Sequence, residues 1–137
     1  MKKKKILIVS AKYYSEISMT MENNAIDCLK KWKGFSIDNP RNNLENVPGV
    51  FEIPVTIAKN IKKYDGFIAL GCVIKGETPH FDFISKSTTD ALMKLSIENK
   101  KPIGNGIITC LNKSQAEIRS NKKGKEAAEA VISVLSQ

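Results

Sequence analysis

Two kinds of hydrophobic pattern alternate along this chain: short unbroken apolar runs, and longer stretches with an apolar residue every third or fourth place. The first kind predicts strands covered on both faces, the second amphipathic helices. Lys5-Ile6-Leu7-Ile8-Val9-Ser10 is the first such strand. Ser15 to Trp32 carries Ile17, Met21, Ala25, Cys28 and Leu29 on one helical face, with Ser15 suited to cap it and Glu16 placed near its positive end. Phe35 to Asp38 is a short second strand candidate, and Asn39 to Glu45, with Pro40 and several asparagines, reads as a loop. Two prolines and a glycine fix the backbone from Val47 to Pro54, and Pro54 suits the first turn of a helix running to Lys63. Phe67 to Ile74 is the third strand, Thr78 or Pro79 opens a helix through Ile97, and Pro102 to Ile108 is the fourth strand. Gly104 and Gly106 leave little side chain on one face of that strand. Ser114 to Arg119 and Lys125 to Leu135 read as two further helices.

Repeated strand-then-helix units imply a parallel sheet with helices on both faces. The expected fold is therefore α/β, a three-layer α/β/α arrangement around a four-stranded parallel sheet with flavodoxin-like winding. No repeat, linker or low-complexity stretch divides the chain, so residues 1–137 are expected to form one domain. No apolar run approaches the roughly 18 residues that span a bilayer. The apolar segment Ile6 to Val9 after the basic start is too short for a signal-peptide core, which makes the cytoplasm the expected compartment. The net charge of +8 raises the question of nucleic acid, but much of it sits at the two ends, in Lys2 to Lys5 and in Lys122, Lys123 and Lys125. No nucleic-acid motif accompanies these lysines, so solvated decoration is the expectation. Cys28, Cys72 and Cys110 are an odd number at wide spacing, which argues against a disulfide framework and against a metal site. Cys72 sits beside the turn of greatest interest, but Val73 and Ile74 continue the strand and favour a packed thiol over a nucleophile.

The chemistry lies at the strand ends. Gly71 to Asp82 closes the third strand in a glycine-bounded turn, Lys75-Gly76-Glu77-Thr78-Pro79-His80, which holds the only histidine. In a parallel sheet the carboxyl ends of strands meet ligands, because backbone donors and helix N-termini gather there. Together with Ala11-Lys12-Tyr13-Tyr14, Gly49-Val50-Phe51-Glu52 and Thr109-Cys110-Leu111-Asn112, that turn offers aromatic surface, N–H groups, carboxylates, an imidazole and cations. Such a set suits a planar, hydroxylated ligand bearing an anion. GxGxxG and GxxxxGK[ST] are both absent, so dinucleotide and P-loop readings lack their motif. Each residue taken singly also has an ordinary structural reading: Tyr13 and Tyr14 as cover for a sheet edge, His80 in a local hydrogen bond, Glu52 as a helix-dipole partner, Arg119 and Lys123 as solvated cations.

Val47-Pro48-Gly49-Val50-Phe51-Glu52-Ile53-Pro54, followed by Tyr64 through Asp82, resembles the 6,7-dimethyl-8-ribityllumazine synthase family. The resemblance extends from about Ile6 to the C-terminus. It implies condensation of 5-amino-6-(D-ribitylamino)uracil with 3,4-dihydroxy-2-butanone 4-phosphate, with release of phosphate and water and no metal or organic cofactor. His80 matches the family's proton-transfer histidine, and Gly76-Glu77-Thr78 its phosphate-binding turn. Tyr13 falls where the family stacks an aromatic residue on the pyrimidine. Val50, Phe51 and Glu52 match the segment contacting the ribityl chain, and Val73, Ile74 and Lys75 the one beside the ring. Arg119 matches a phosphate-binding arginine supplied by a neighbouring subunit. The resemblance thus implies small-molecule substrates, sites between subunits and a homo-oligomer built from pentamers, with no membrane or nucleic-acid partner.

Three places depart from the family pattern. Asn105 stands where many members present an aromatic residue from the adjacent subunit. Ser120-Asn121-Lys122-Lys123-Gly124 is shorter than the usual glycine- and lysine-containing loop, with Lys123 in place of its lysine. Only Met1 to Lys4 precede the first strand, where larger assemblies extend a segment onto a neighbour. These last two features favour an isolated pentamer or a pair over a sixty-subunit shell. A non-catalytic flavin or lumazine binder of the same fold is the rival reading, and His80 with Arg119 favours the enzyme.

Overall fold

The apolar runs become the centre of a parallel sheet. In the structure, a computed structural model that describes residues 2–36, 43–77 and 80–137, β1 (Ile6–Ala11) and β3 (Gly66–Ile74) are buried at every position. The remaining elements are α1 (Ser15–Lys31), β2 (Leu44–Val47), a 3₁₀ turn (Val50–Glu52), α2 (Ile53–Asn60), α3 (Phe81–Asn99), β4 (Ile103–Cys110) and α4 (Lys113–Leu135). The strand order is β2-β1-β3-β4, and every pairing is parallel, with Leu7 opposite Phe67 and Leu70 opposite Gly106. This is the flavodoxin-like order, in which the chain winds to one side of β1 and then to the other.

Because side chains alternate across a strand, each central strand feeds two cores. Ile6, Ile8, Ile68, Leu70 and Ile74 pack with Met21, Ala25 and Leu29 of α1 and Ala127, Ala128 and Val131 of α4. Leu7, Val9, Phe67, Ala69 and Val73 pack with Ile53 and Ile57 of α2 and Leu92 of α3. The result is a three-layer α/β/α fold.

Several element boundaries differ from the sequence expectation. Among the described residues the second strand is Leu44–Val47, inside the stretch read as loop and turn; of the expected strand Phe35 to Asp38, residues 37 and 38 lie outside the described residues. Phe35 makes a single bridge to Lys4, and its apolar signal comes from burial beside α1. Leu44–Val47 is an edge strand paired to β1 alone, so exposed Glu45 and Asn46 are tolerated there and blur the pattern. Residues 37–42 and Thr78 and Pro79, the expected helix start, lie outside the described residues. Within the described residues the third helix begins at Phe81 with His80 at its N-cap. Ser15 does not cap α1; Tyr14 holds that position, and the first turn is fastened by Ser18 Oγ donating to the Ala11 carbonyl. Helix α2 ends at Asn60, before the expected Lys63.

The two helices expected after β4 are one, running through Gly124. A Cβ at Gly124 would fall inside the van der Waals shell of the Met21 carbonyl, so the bare position lets α4 cross against α1 and does not break the helix. The basic stretch after Arg119 is thus helical and not a loop. Gly104 and Gly106 do leave β4 bare on one face, and the backbone and Cβ of Ala127 in α4 fill that space.

Candidate active site

The carboxyl ends of β1 and β3 and the 3₁₀ turn enclose a pocket of ≈ 210 Å³, lined by Tyr13, Gly49, Val50, Phe51, Cys72, Val73, Glu77 and Ile84. Its walls are mainly apolar, and two aromatic rings stand open to solvent beside it, Tyr13 at 68% and Phe51 at 66% exposure. Solvated rings of that size are costly unless something covers them, which suits a planar ligand. Gly76 has φ +87, a left-handed conformation that favours glycine, and it turns the chain so that Glu77 follows at the pocket rim. Tyr14 is half-buried against the α1/α4 core, and its hydroxyl donates to Glu77 Oε2 at 2.7 Å. Burial first, then the Glu77 carboxylate, pushes the Tyr14 hydroxyl above its usual titration range.

Of the residues singled out in the sequence, Tyr13, Val50, Phe51, Val73 and Glu77 meet at this pocket. His80 is exposed at the N-cap of α3, its carbonyl accepting from Ile84 N–H at 2.8 Å. Glu52 folds back locally, Oε1 accepting from Gly49 N–H at 3.0 Å. Lys75 is exposed at the end of β3, held by its N–H to the Cys110 carbonyl at 2.9 Å. Ile74 is buried on the α1/α4 side of the sheet, because the period of two that aims Val73 at the pocket turns its neighbour away. Thr78 lies outside the described residues.

Asn105, Arg119 and Lys123 do not line the pocket of their own chain. Asn105 is exposed on edge strand β4, Oδ1 accepting from Ile107 N–H at 3.0 Å. Arg119 is exposed on α4 and donates from one guanidinium nitrogen to the Thr109 carbonyl at 3.0 Å. Lys123 is half-buried on the same helix. A wider groove of ≈ 510 Å³ between α1 and α4 is lined by Tyr14, Glu16, Lys113 and Glu117 among others, but by none of the motif residues from Gly49 to Glu52 or from Val73 to His80.

Of the lining residues, Gly49 stood in a strand-end segment and Cys72 beside the histidine turn without being assigned to the site, and Ile84 escaped the sequence reading. The signal for Ile84 is its i, i+3 spacing from Phe81, which marks the sheet-facing side of α3. Desolvation pushes the Cys72 thiol up to about 12, so at neutral pH it is a protonated group packed in the α1/α4-side core, its position on β3 bordering the pocket. Among the described residues no group of three His, Cys, Asp or Glu side chains is placed to hold a metal ion. No helix among them is long and apolar enough to cross a membrane.

A doubly wound parallel sheet with an apolar strand-end pocket, an adjoining glycine turn and an imidazole on the next helix is the pattern of an α/β enzyme for a small ligand. The family model for 6,7-dimethyl-8-ribityllumazine synthase matches residues 3–137. A protein of that name from Bartonella bacilliformis is 41% identical over 138 residues, covering 95% of this chain and 87% of its own. A 6,7-dimethyl-8-ribityllumazine synthase 1 from Rhodopseudomonas palustris is 39% identical, covering 96% of this chain and 83% of its own length. One from Corynebacterium glutamicum is 33% identical, covering 96% and 80%. The chain belongs to the 6,7-dimethyl-8-ribityllumazine synthase family.

Proposed function

We propose that this protein makes 6,7-dimethyl-8-ribityllumazine from 5-amino-6-(D-ribitylamino)uracil and 3,4-dihydroxy-2-butanone 4-phosphate, the penultimate step of riboflavin biosynthesis. The observation that carries the reading is the apolar pocket between Tyr13, Val50, Phe51 and Val73, with Glu77 at its rim and His80 at the N-cap of α3. An amine must add to a ketone, phosphate must leave, and a ring must close with loss of water. These steps need alignment, proton transfer and an anion site more than a strong nucleophile.

The rings of Tyr13 and Phe51 offer flat surface to the pyrimidine, and Val50 through Glu52 carries the ribityl chain. Val73 flanks the ring, with Ile74 as strand support and Lys75 at the rim. Gly76, Glu77 and Thr78 receive the phosphate on backbone N–H groups before α3. His80 moves protons between amine, carbonyl and leaving group. Arg119, Lys123 and Asn105 act on the site of a neighbouring copy; their position on α4 and β4, off their own pocket, supports that division. Residues 1–137 work as one domain in the cytoplasm, as a pentamer or a pair of pentamers, without cofactor, membrane or nucleic acid. The imidazole at the N-cap of α3 favours catalysis over mere storage of a lumazine.

The test is direct. Wild type mixed with both substrates should produce the lumazine chromophore well above the spontaneous rate. His80→Ala should lose roughly a hundredfold in turnover, in line with general acid–base catalysis. Arg119→Ala should raise the KM for the phosphate substrate about tenfold or more, as expected for a lost charged hydrogen bond. A wild type no faster than the spontaneous reaction would end the enzyme reading.

A further inference from the structure

The β1–α1 turn is pinned on three sides. Lys12 Nζ pairs with Glu22 of α1 at 2.6 Å, and Ser18 Oγ donates to the Ala11 carbonyl. Tyr14 supplies the third hold, reaching a turn 63 positions away: its hydroxyl meets Glu77 Oε2. The same ring stands edge to face against Tyr13, with centroids 4.8 Å apart and planes at 78°. Tyr13 and Glu77 line the pocket from opposite turns, while Tyr14 does not line it.

We propose that Tyr14 is a positioning residue, tying the Glu77 turn to the β1–α1 turn so that the aromatic wall and the anion-binding wall keep a fixed separation. This deepens the reading above and rests on it. The physical need is plain. Gly76 allows the backbone before Glu77 many conformations, and although the Lys75 N–H donates to the Cys110 carbonyl and the Glu77 N–H to the Ile74 carbonyl at 3.3 Å, the exposed Glu77 side chain is held by the Tyr14 hydroxyl. A hydroxyl donating to a carboxylate is among the stronger hydrogen bonds. It orders the turn before substrate arrives, which lowers the ordering cost at binding. Burial and the neighbouring carboxylate also keep the Tyr14 hydroxyl protonated well into alkaline solution, so the tie outlasts the working pH range.

A double-mutant cycle tests it, with steady-state kinetics on the full chain for Tyr14→Phe, Glu77→Gln, Glu77→Ala, and Tyr14→Phe combined with each Glu77 change. Tyr14→Phe keeps the ring and should raise the KM for the phosphate substrate about tenfold, the scale of a hydrogen bond to a charged group, with kcat within about threefold. The same change should still cost affinity in the Glu77→Gln background, where the amide keeps an acceptor oxygen. In the Glu77→Ala background it should cost nothing further. An unchanged KM in Tyr14→Phe, a loss in kcat alone, or full additivity with Glu77→Ala each overturns the proposal. Should Tyr14→Phe fold poorly, Glu77→Ala removes the same bond from an exposed position and must show the same KM-selective loss. Wild-type inactivity would instead sink the proposed reaction, so the two failures are separable.

Discussion

Cys72 shows how one residue's chemistry is settled by its surroundings. The sequence put it beside the histidine turn, where a nucleophile was a conceivable reading; the structure packs it in the α1/α4-side core with Ile74, and burial pushes its thiol up to about 12. At pH 8 it should therefore hold roughly a thousandfold less thiolate than a free cysteine and resist iodoacetamide in the native state. Mass spectrometry of labelled peptides checks this, and rapid labelling of Cys72 would contradict it. The pH dependence has a definite sign. A thiol whose folded pKa lies above its unfolded one supports the folded chain fully below about pH 9, and that support declines as pH rises toward 12. The urea midpoint should fall over that window, less steeply in Cys72→Ala. Glu22 teaches the opposite lesson at the same scale. It is 2% exposed, accepting from Ser10 Oγ and Lys12 Nζ at 2.6 Å each. A carboxylate one position from an apolar stripe reads as solvated, and only partners brought from another element make its burial tolerable.

Among the elements, long periodic segments were legible and short or bare ones were not. β1, β3 and α1 came out within a residue or two of the pattern, since a run buried on both faces or a clear apolar stripe leaves one reading. β2 was missed because an edge strand need not be apolar, and α4 was cut in two because glycine in a basic stretch resembles a break. The function of Gly124 is contact, which yields a prediction. Alanine is the better helix former by about 1 kcal/mol, yet Gly124→Ala should destabilise the protein by roughly 1–3 kcal/mol because its methyl meets the α1 backbone. Thermal denaturation should show a midpoint several degrees lower. An unchanged or raised midpoint would mean the α1–α4 contact is soft.

For the whole molecule, the question is what covers its remaining apolar surface. Phe83, Met93 and Ile97 on α3 and Val55 on α2 are exposed, Phe83 at 77% and Ile97 at 67%. The proposed assembly of several copies would cover these side chains, and a site shared between copies makes a sharp expectation. His80→Ala and Arg119→Ala, each weak alone, should regain activity when unfolded together and refolded as mixed oligomers. In a random mixture about one interface in four pairs an intact His80 with an intact Arg119 from the next copy. Light scattering would give the mass as a multiple of 15.2 kDa. Activity no higher in the mixture than in either variant would place both residues in one subunit.

The sequence by itself determined the α/β class, the two central strands, the main helical stripe and the motif that holds His80, because burial on both faces and helical periodicity are local signals. It also named most of the pocket's walls, since those residues sit in contiguous strand-end segments. Only the tertiary structure decided that Val73 faces the pocket while Ile74 does not, that Glu22 is buried, and that Tyr14 reaches Glu77. Those outcomes depend on strand register and on contacts between residues far apart in the chain, which no local pattern encodes.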